Sequence, residues 1–223
     1  MMRFFTLVLL GLVLAGVSNC DLRSPLDFSA VGTSSPDLPA EATDWLVVPG
    51  QRVGPITAQT TRADLAAIYG EAALTDGPIP VGEGFTEPGT VVSPDPSHRF
   101  TVVWADTAQT RPQLVRDFGP AWQTPEGLGV GVPYSTLKAA LGNFGIYGFE
   151  WDYGGTVVLA DSQLAQYQDL LWLRMAPAEA AIAEHSAAYE ALLGDQVFAS
   201  GNPNLELLNL EVIDMVVSLD AVP

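Results

Sequence analysis

The chain has 223 residues, with nine Lys and Arg against 26 Asp and Glu and a formal net charge of −17. A surface that acidic repels phosphate backbones and anionic lipid headgroups, so it argues against nucleic-acid partners and leaves any membrane attachment to a covalent lipid. Two histidines and one cysteine offer little to a transition-metal site or a cysteine nucleophile, and no cofactor or metal is expected.

The first twenty residues read MMRFFTLVLLGLVLAGVSNC: one Arg, then an apolar run from Phe4 to Val17 that ends among small residues. The run is too short to span a bilayer comfortably and has the layout of an export signal. Cys20, the sole cysteine, stands at its end and cannot form an internal disulfide. The arrangement resembles a bacterial lipoprotein signal, whose closing cysteine is lipidated, although Asn19 occupies a place usually held by Gly, Ala or Ser. The expectation is a signal peptide over 1–19, then a lipid anchor at Cys20 with a flexible Pro-, Ser- and Asp-rich tether to residue 44, then one α+β domain over 45–223. The exported side of a membrane, periplasmic or cell-surface, is the expected location.

Three landmarks then occur twice in the same order. PITAQTTRADLAAIYG (55–70) aligns without gaps to GLGVGVPYSTLKAALG (127–142), with Ile56 beside Leu128, Leu65 beside Leu137 and Gly70 beside Gly142. Each predicts an extended start and a short helix closed by Gly. Thr61 and Asp64 have capping-box spacing, and Pro133 suits a first helical turn. GFTEPGTVV (84–92) parallels GFEWDYGGTVV (148–158), and RFTVVWAD (99–106) parallels LLWLRMAP (170–177), predicting a hairpin and a strand in each. The unit is strand, helix, hairpin, strand over about 70 residues. Repeat one spans about 45–110 and repeat two about 120–177. Together they predict a mainly antiparallel sheet with helices on one face. The layout is similar in outline to that of the β-lactamase inhibitor proteins, which implies a fold only. A helix over 177–194, a loop at 201–204 and a last strand from Val212 to Leu219 complete the prediction.

Within the second hairpin, YGFEWDYG (147–154) alternates Tyr147, Phe149, Trp151 and Tyr153 with Gly148, Glu150, Asp152 and Gly154. As a strand it places four rings on one face and two carboxylates, roughly 7 Å apart, on the other. Rings under the helices would make it a core strand; rings outward would suit a partner or a sugar. The candidate binding residues are therefore Glu150, Trp151, Asp152 and Tyr153, with Trp104 and Trp122 as further rings. Glu150, Asp152 and Glu83 are the candidate catalytic carboxylates, which would have to converge in a pocket. His98 falls in a turn and His185 on the third helix. GLGVG (127–131) lacks the strand-before-helix context and the Lys of a nucleotide loop.

The stretches ALGNFGIYGFEWDYGGTV (140–157), WLVVPGQRVGPIT (45–57) and NPNLELLNLEV (202–212) resemble a family of exported bacterial proteins, many of them lipoprotein-like. Its signature is a Gly-Phe-x-Trp-Asp-Tyr-Gly-Gly segment, met by Gly148, Phe149, Trp151, Asp152, Tyr153, Gly154 and Gly155. The resemblance implies an exported location and a shared fold unit, and no activity. The reading reached from sequence is a non-enzymatic envelope lipoprotein that binds a protein or an envelope polymer. Small-molecule or sugar binding and an envelope hydrolase are the alternatives.

Overall fold

A computed structural model describes residues 43–219. The apolar leader, Cys20 and all but the last two residues of the expected tether lie outside them. Three two-residue strands, β1 (Val47–Val48), β2 (Arg52–Val53) and β3 (Ile56–Thr57), form a small antiparallel meander. Helix α1 (Arg62–Tyr69) starts at the expected capping box: the Asp64 N–H donates to the Thr61 hydroxyl, and the Thr61 N–H donates to the Asp64 carboxylate. A long hairpin of β4 (Leu74–Gly82) and β5 (Phe85–Val92) leads into β6 (Phe100–Trp104) and β7 (Pro112–Arg116). Next come α2 (Tyr134–Leu141), β8 (Gly145–Tyr147), β9 (Val157–Val158) and β10 (Leu171–Ala176). The chain then passes through α3 (Glu179–Glu184), α4 (Ser186–Glu190), β11 (Val197–Ala199) and α5 (Pro203–Leu207) to β12 (Glu211–Ser218).

The fold is α+β, built on a six-stranded antiparallel sheet in the order β10-β12-β7-β6-β5-β4. The expected single sheet is divided. The second hairpin leaves the main sheet and forms a three-stranded sheet of its own, β11-β8-β9, tied to β10 by one bridge between Thr156 and Arg174. Each half of the chain thus carries a helix, a hairpin and two strands, and the last strands of the halves, β7 and β12, pair inside the main sheet, as its third and second strands. β7 lies just beyond the boundary expected near residue 110. Equivalent positions share their environments: Ile56, Leu128, Leu65 and Leu137 are all fully buried. Gly70 and Gly142 end their helices at φ 82° and 68°, which an L side chain rarely adopts.

Strand alternation sends Phe100, Val102, Val115, Leu171, Leu173, Met215 and Val217 into one continuous core with Leu65 and Leu137 of the helices. Trp122 lies at its aromatic centre, with the rings of Trp45, Phe100 and Phe118 at 5.2, 5.2 and 5.8 Å. Its indole N–H donates to the His98 carbonyl at 3.1 Å, and the His98 ring sits 3.9 Å from that of Trp45. Trp104 is equally buried and donates to Thr90, which donates to the Asp76 carboxylate. Asp76 also accepts from Arg62, whose guanidinium forks onto Glu71, so this chain of bonds ties α1 to the first hairpin. Neither Trp104 nor Trp122 is accessible to a ligand, which removes both from the expected set of binding rings.

Three local expectations are corrected. The helix expected over 177–194 breaks at His185, whose φ −122° and ψ 43° are not helical, and Leu192 and Leu193 lie beyond α4. Asn202 caps α5 in a segment expected to be loop; its side chain accepts from the Asn204 N–H, and Pro203 takes the first helical position. Pro133 is the residue before α2 and not part of its first turn.

Leu65→Ala and Leu137→Ala, which empty equivalent buried sites, are each expected to cost about 2–5 kcal/mol in chemical denaturation. Stability should also fall in acid. Hydrogen bonds from Arg62 hold the Glu71 carboxyl below its ordinary value. Burial would raise Asp76, but Arg62 and Thr90 outweigh it and hold that carboxyl low as well. Carboxyls depressed in the folded state contribute stability that is fully present above their ordinary values of 3.8 and 4.5 and is lost as pH falls through the folded ones. Melting temperatures of Asp76→Asn should accordingly fall less steeply than wild type between neutral pH and pH about 3.

Candidate functional site

Apart from Tyr147, which ends β8, the segment 147–154 is a loop and not the expected strand. The hairpin closes at Tyr147: its N–H donates to the Thr156 carbonyl, and the Gly155 N–H donates to the Tyr147 carbonyl. Beyond that closure, Gly148 and Phe149 hydrogen-bond to Gln196, Leu192 and Gly194, so the chain turns toward the segment after α4. Glu150 then takes φ 66°, which ends any period of two. Glu150 and Asp152 are therefore not an i, i+2 pair on one strand face.

Most of the loop's residues have a structural task. Phe149 is buried and stacks on Tyr189. The Trp151 indole donates to the Gly148 carbonyl at 2.8 Å, bracing the loop from within. Glu150 accepts a hydrogen bond from the Tyr189 hydroxyl. Gly155, at φ 77°, lies so close to β10 that a Cβ would fall 2.0 Å from the Met175 carbonyl oxygen. Gly148 is as confined, with the Gly194 carbonyl oxygen 2.5 Å from where its Cβ would be. The remaining rings form a cluster: Trp151 meets Tyr147 at 5.4 Å and Tyr153 at 5.2 Å, both edge to face. Glu150, Asp152 and Tyr153 are exposed, Tyr153 at 59%, and of the three Asp152 and Tyr153 form the tip.

Two arginines on the sheet hold the two hairpins. Val115 and Leu173 face the core, so their neighbours Arg116 and Arg174 rise from the opposite face. Arg116 donates to the Pro80 carbonyl of the first hairpin at 3.1 Å, and Arg174 donates to the Gly154 carbonyl of the second at 2.8 Å. Asp214, on β12, sits between their strands with Arg174 directly opposite. Burial raises its carboxyl above the ordinary value, and the charges of Arg116 and Arg174 oppose that rise.

Held in this way, the two tips share a cleft of about 520 Å³, lined by Val81, Gly82, Glu83 and Phe85 from the first and by Asp152 and Tyr153 from the second. Phe85 is 66% exposed and Val81 39%. Glu83, at φ 49° between Gly82 and Gly84, which are also at positive φ, projects from the end of its hairpin. Among the described residues neither Glu83 nor Asp152 has a hydrogen-bond or ion-pair partner.

Of the residues expected from sequence, the structure brings Asp152, Tyr153 and Glu83 together, keeps Trp151 behind Tyr153, and directs Glu150 to Tyr189 instead. Sequence reasoning missed Phe85, Val81 and both arginines. Gly-Glu-Gly before Phe85 was a turn signal, but Phe85 aligns with Phe149, which is buried. His98 and His185 lie elsewhere; Lys138 pairs with Glu206. Among the described residues no cluster of His, Cys, Asp and Glu could hold a metal ion, and no helix is long and apolar enough to cross a membrane. No protein-family model, curated protein or solved structure matches the chain.

Burial, then the hydrogen bond to and charge of Glu150, push the Tyr189 phenol up to about 12. Removing that carboxylate takes away a charge that opposes the phenolate, so Glu150→Gln should lower the Tyr189 titration. Tyrosinate absorbance measured against Tyr189→Phe isolates the shift.

Proposed function

We propose that this chain is a non-enzymatic lipoprotein of the bacterial cell envelope that docks another protein through the cleft between its hairpin tips. The observation that carries the reading is the pair Asp152 and Tyr153. Glu150 is exposed too but is engaged by the Tyr189 hydroxyl, and the loop's other residues are used in holding it, while Asp152 and Tyr153 are presented to solvent in the cleft shared with Phe85. A rigid loop that leaves an aromatic ring exposed is arranged as an interface anchor is, because Tyr and Phe bury large areas at small conformational cost. The acidic export-type chain, Cys20 and the resemblance of residues 147–155 to exported lipoprotein-like proteins support the envelope location.

An envelope polymer remains within the docking reading. A sugar site would have to work with Trp151 and Tyr153, since Trp104 and Trp122 are enclosed. A hydrolase needs two carboxylates placed by neighbours in contrasting environments. Glu83 and Asp152 share the cleft but hold no such partners among the described residues.

Photo-crosslinking probes placed at 85 and at 153 in cells should recover one and the same protein, which probes at the exposed positions Leu207 and Ile213 do not. A set of adducts common to all four positions would refute docking at the cleft. Cys20→Ser should move the chain from the membrane fraction to the soluble fraction while leaving its melting temperature unchanged.

A further inference from the structure

We infer that the cleft between the tips receives a basic segment of the partner protein, with an arginine side chain inserted between Tyr153 and Phe85. The inference rests on the docking reading and deepens it by giving the partner's chemistry.

The lining supplies both halves of a guanidinium site. Glu83 and Asp152 bring one carboxylate from each tip, and Phe85 and Tyr153 bring one ring from each. A planar guanidinium can stack on a ring face while donating in its own plane to a carboxylate, which an ammonium does less well. Trp151, 5.2 Å behind Tyr153 and in edge contact with it, limits the orientations open to that ring. The cleft is large enough for a whole side chain and its backbone neighbours.

Among the described residues, no cation pairs with these carboxylates. Among the described residues, no Lys or Arg lines the cleft. Two guanidiniums of the sheet, Arg116 and Arg174, donate to the Pro80 and Gly154 carbonyls of the hairpins, and Arg116 also pairs with Asp117. They hold the frame of the site and leave its acidic rim uncompensated. A neutral or acidic segment seated here would strip water from two unpaired carboxylates, whereas a basic one replaces that water with hydrogen-bonded charge. The net charge of −17 steers the same class of partner from a distance.

The test uses the full-length protein and two blocked pentapeptides, one carrying two arginines and its twin carrying citrulline at both places. Citrulline keeps the shape and removes the charge. Binding is followed by NMR at the Trp151 indole and the Asp152 and Tyr153 amides. The arginine peptide should shift these signals and bind about tenfold more tightly than its twin. Its affinity should fall as salt rises from about 50 to about 500 mM. Asp152→Asn and Glu83→Gln, on separate hairpins, should each weaken it several-fold with unchanged melting temperature. Equal affinity for the two peptides, shifts that persist in both variants, or no binding of either peptide would overturn the inference. Recovery of a single crosslinked partner from positions 85 and 153 alongside any of these results would leave the docking reading standing and remove only the charge assignment.

Discussion

Val115 on β7 faces Val217 on β12, and this antiparallel pairing joins the first half of the sheet to the second. Everything distinctive about the open face follows from it. It places Arg116 near Asp214 and Arg174, three charged residues from three strands, on the side away from the core. Charges so placed cannot be moved into the interior without heavy desolvation, so they remain on the open face, where the two arginines bond to what lies above them. What lies above are the carbonyls of the two hairpins, and the tips meet as a consequence.

The two tips reach similar positions by different means. The first is the end of a long regular hairpin, turned by three successive residues at positive φ and braced by Arg116. The second is a short loop drawn tight by hydrogen bonds on every side, to its own indole, to Arg174 and to the segment following α4. Glycines at 148 and 155 are required because neighbouring carbonyl oxygens occupy the space a side chain would need. In the proposed docking reading, a loop braced in this way has little conformational freedom to lose on binding.

Local features of the fold were legible in the sequence to the extent that their causes were local. Thr61 and Asp64 announce α1 because a capping box is complete within four residues, and Gly70 and Gly142 announce helix ends because their conformation disfavours other residues. The strands β6, β10 and β12 are announced by their composition. The expected long helix over 177–194 was not legible as two pieces, because its interruption at His185 follows no proline or glycine. Asn202 and Pro203 were a helix start read as a loop, since cap and turn residues share one vocabulary. In the cleft, Asp152 and Tyr153 were legible as candidates; Phe85 was not, because alignment with Phe149 pointed inward.

Sequence by itself determined the acidic charge, the α+β class and the residue types available to any site, because each depends on composition or on neighbours a few positions apart. Tertiary structure decided that the aromatic segment is a loop. Its alternation is a local pattern, but hydrogen bonds to Leu192, Gly194 and Gln196, some forty residues onward, turn it out of the strand. Tertiary structure also decided which rings are enclosed and which carboxylates meet. Glu83 and Asp152 come from separate hairpins, and only the pairing of β7 with β12 brings them to one cleft.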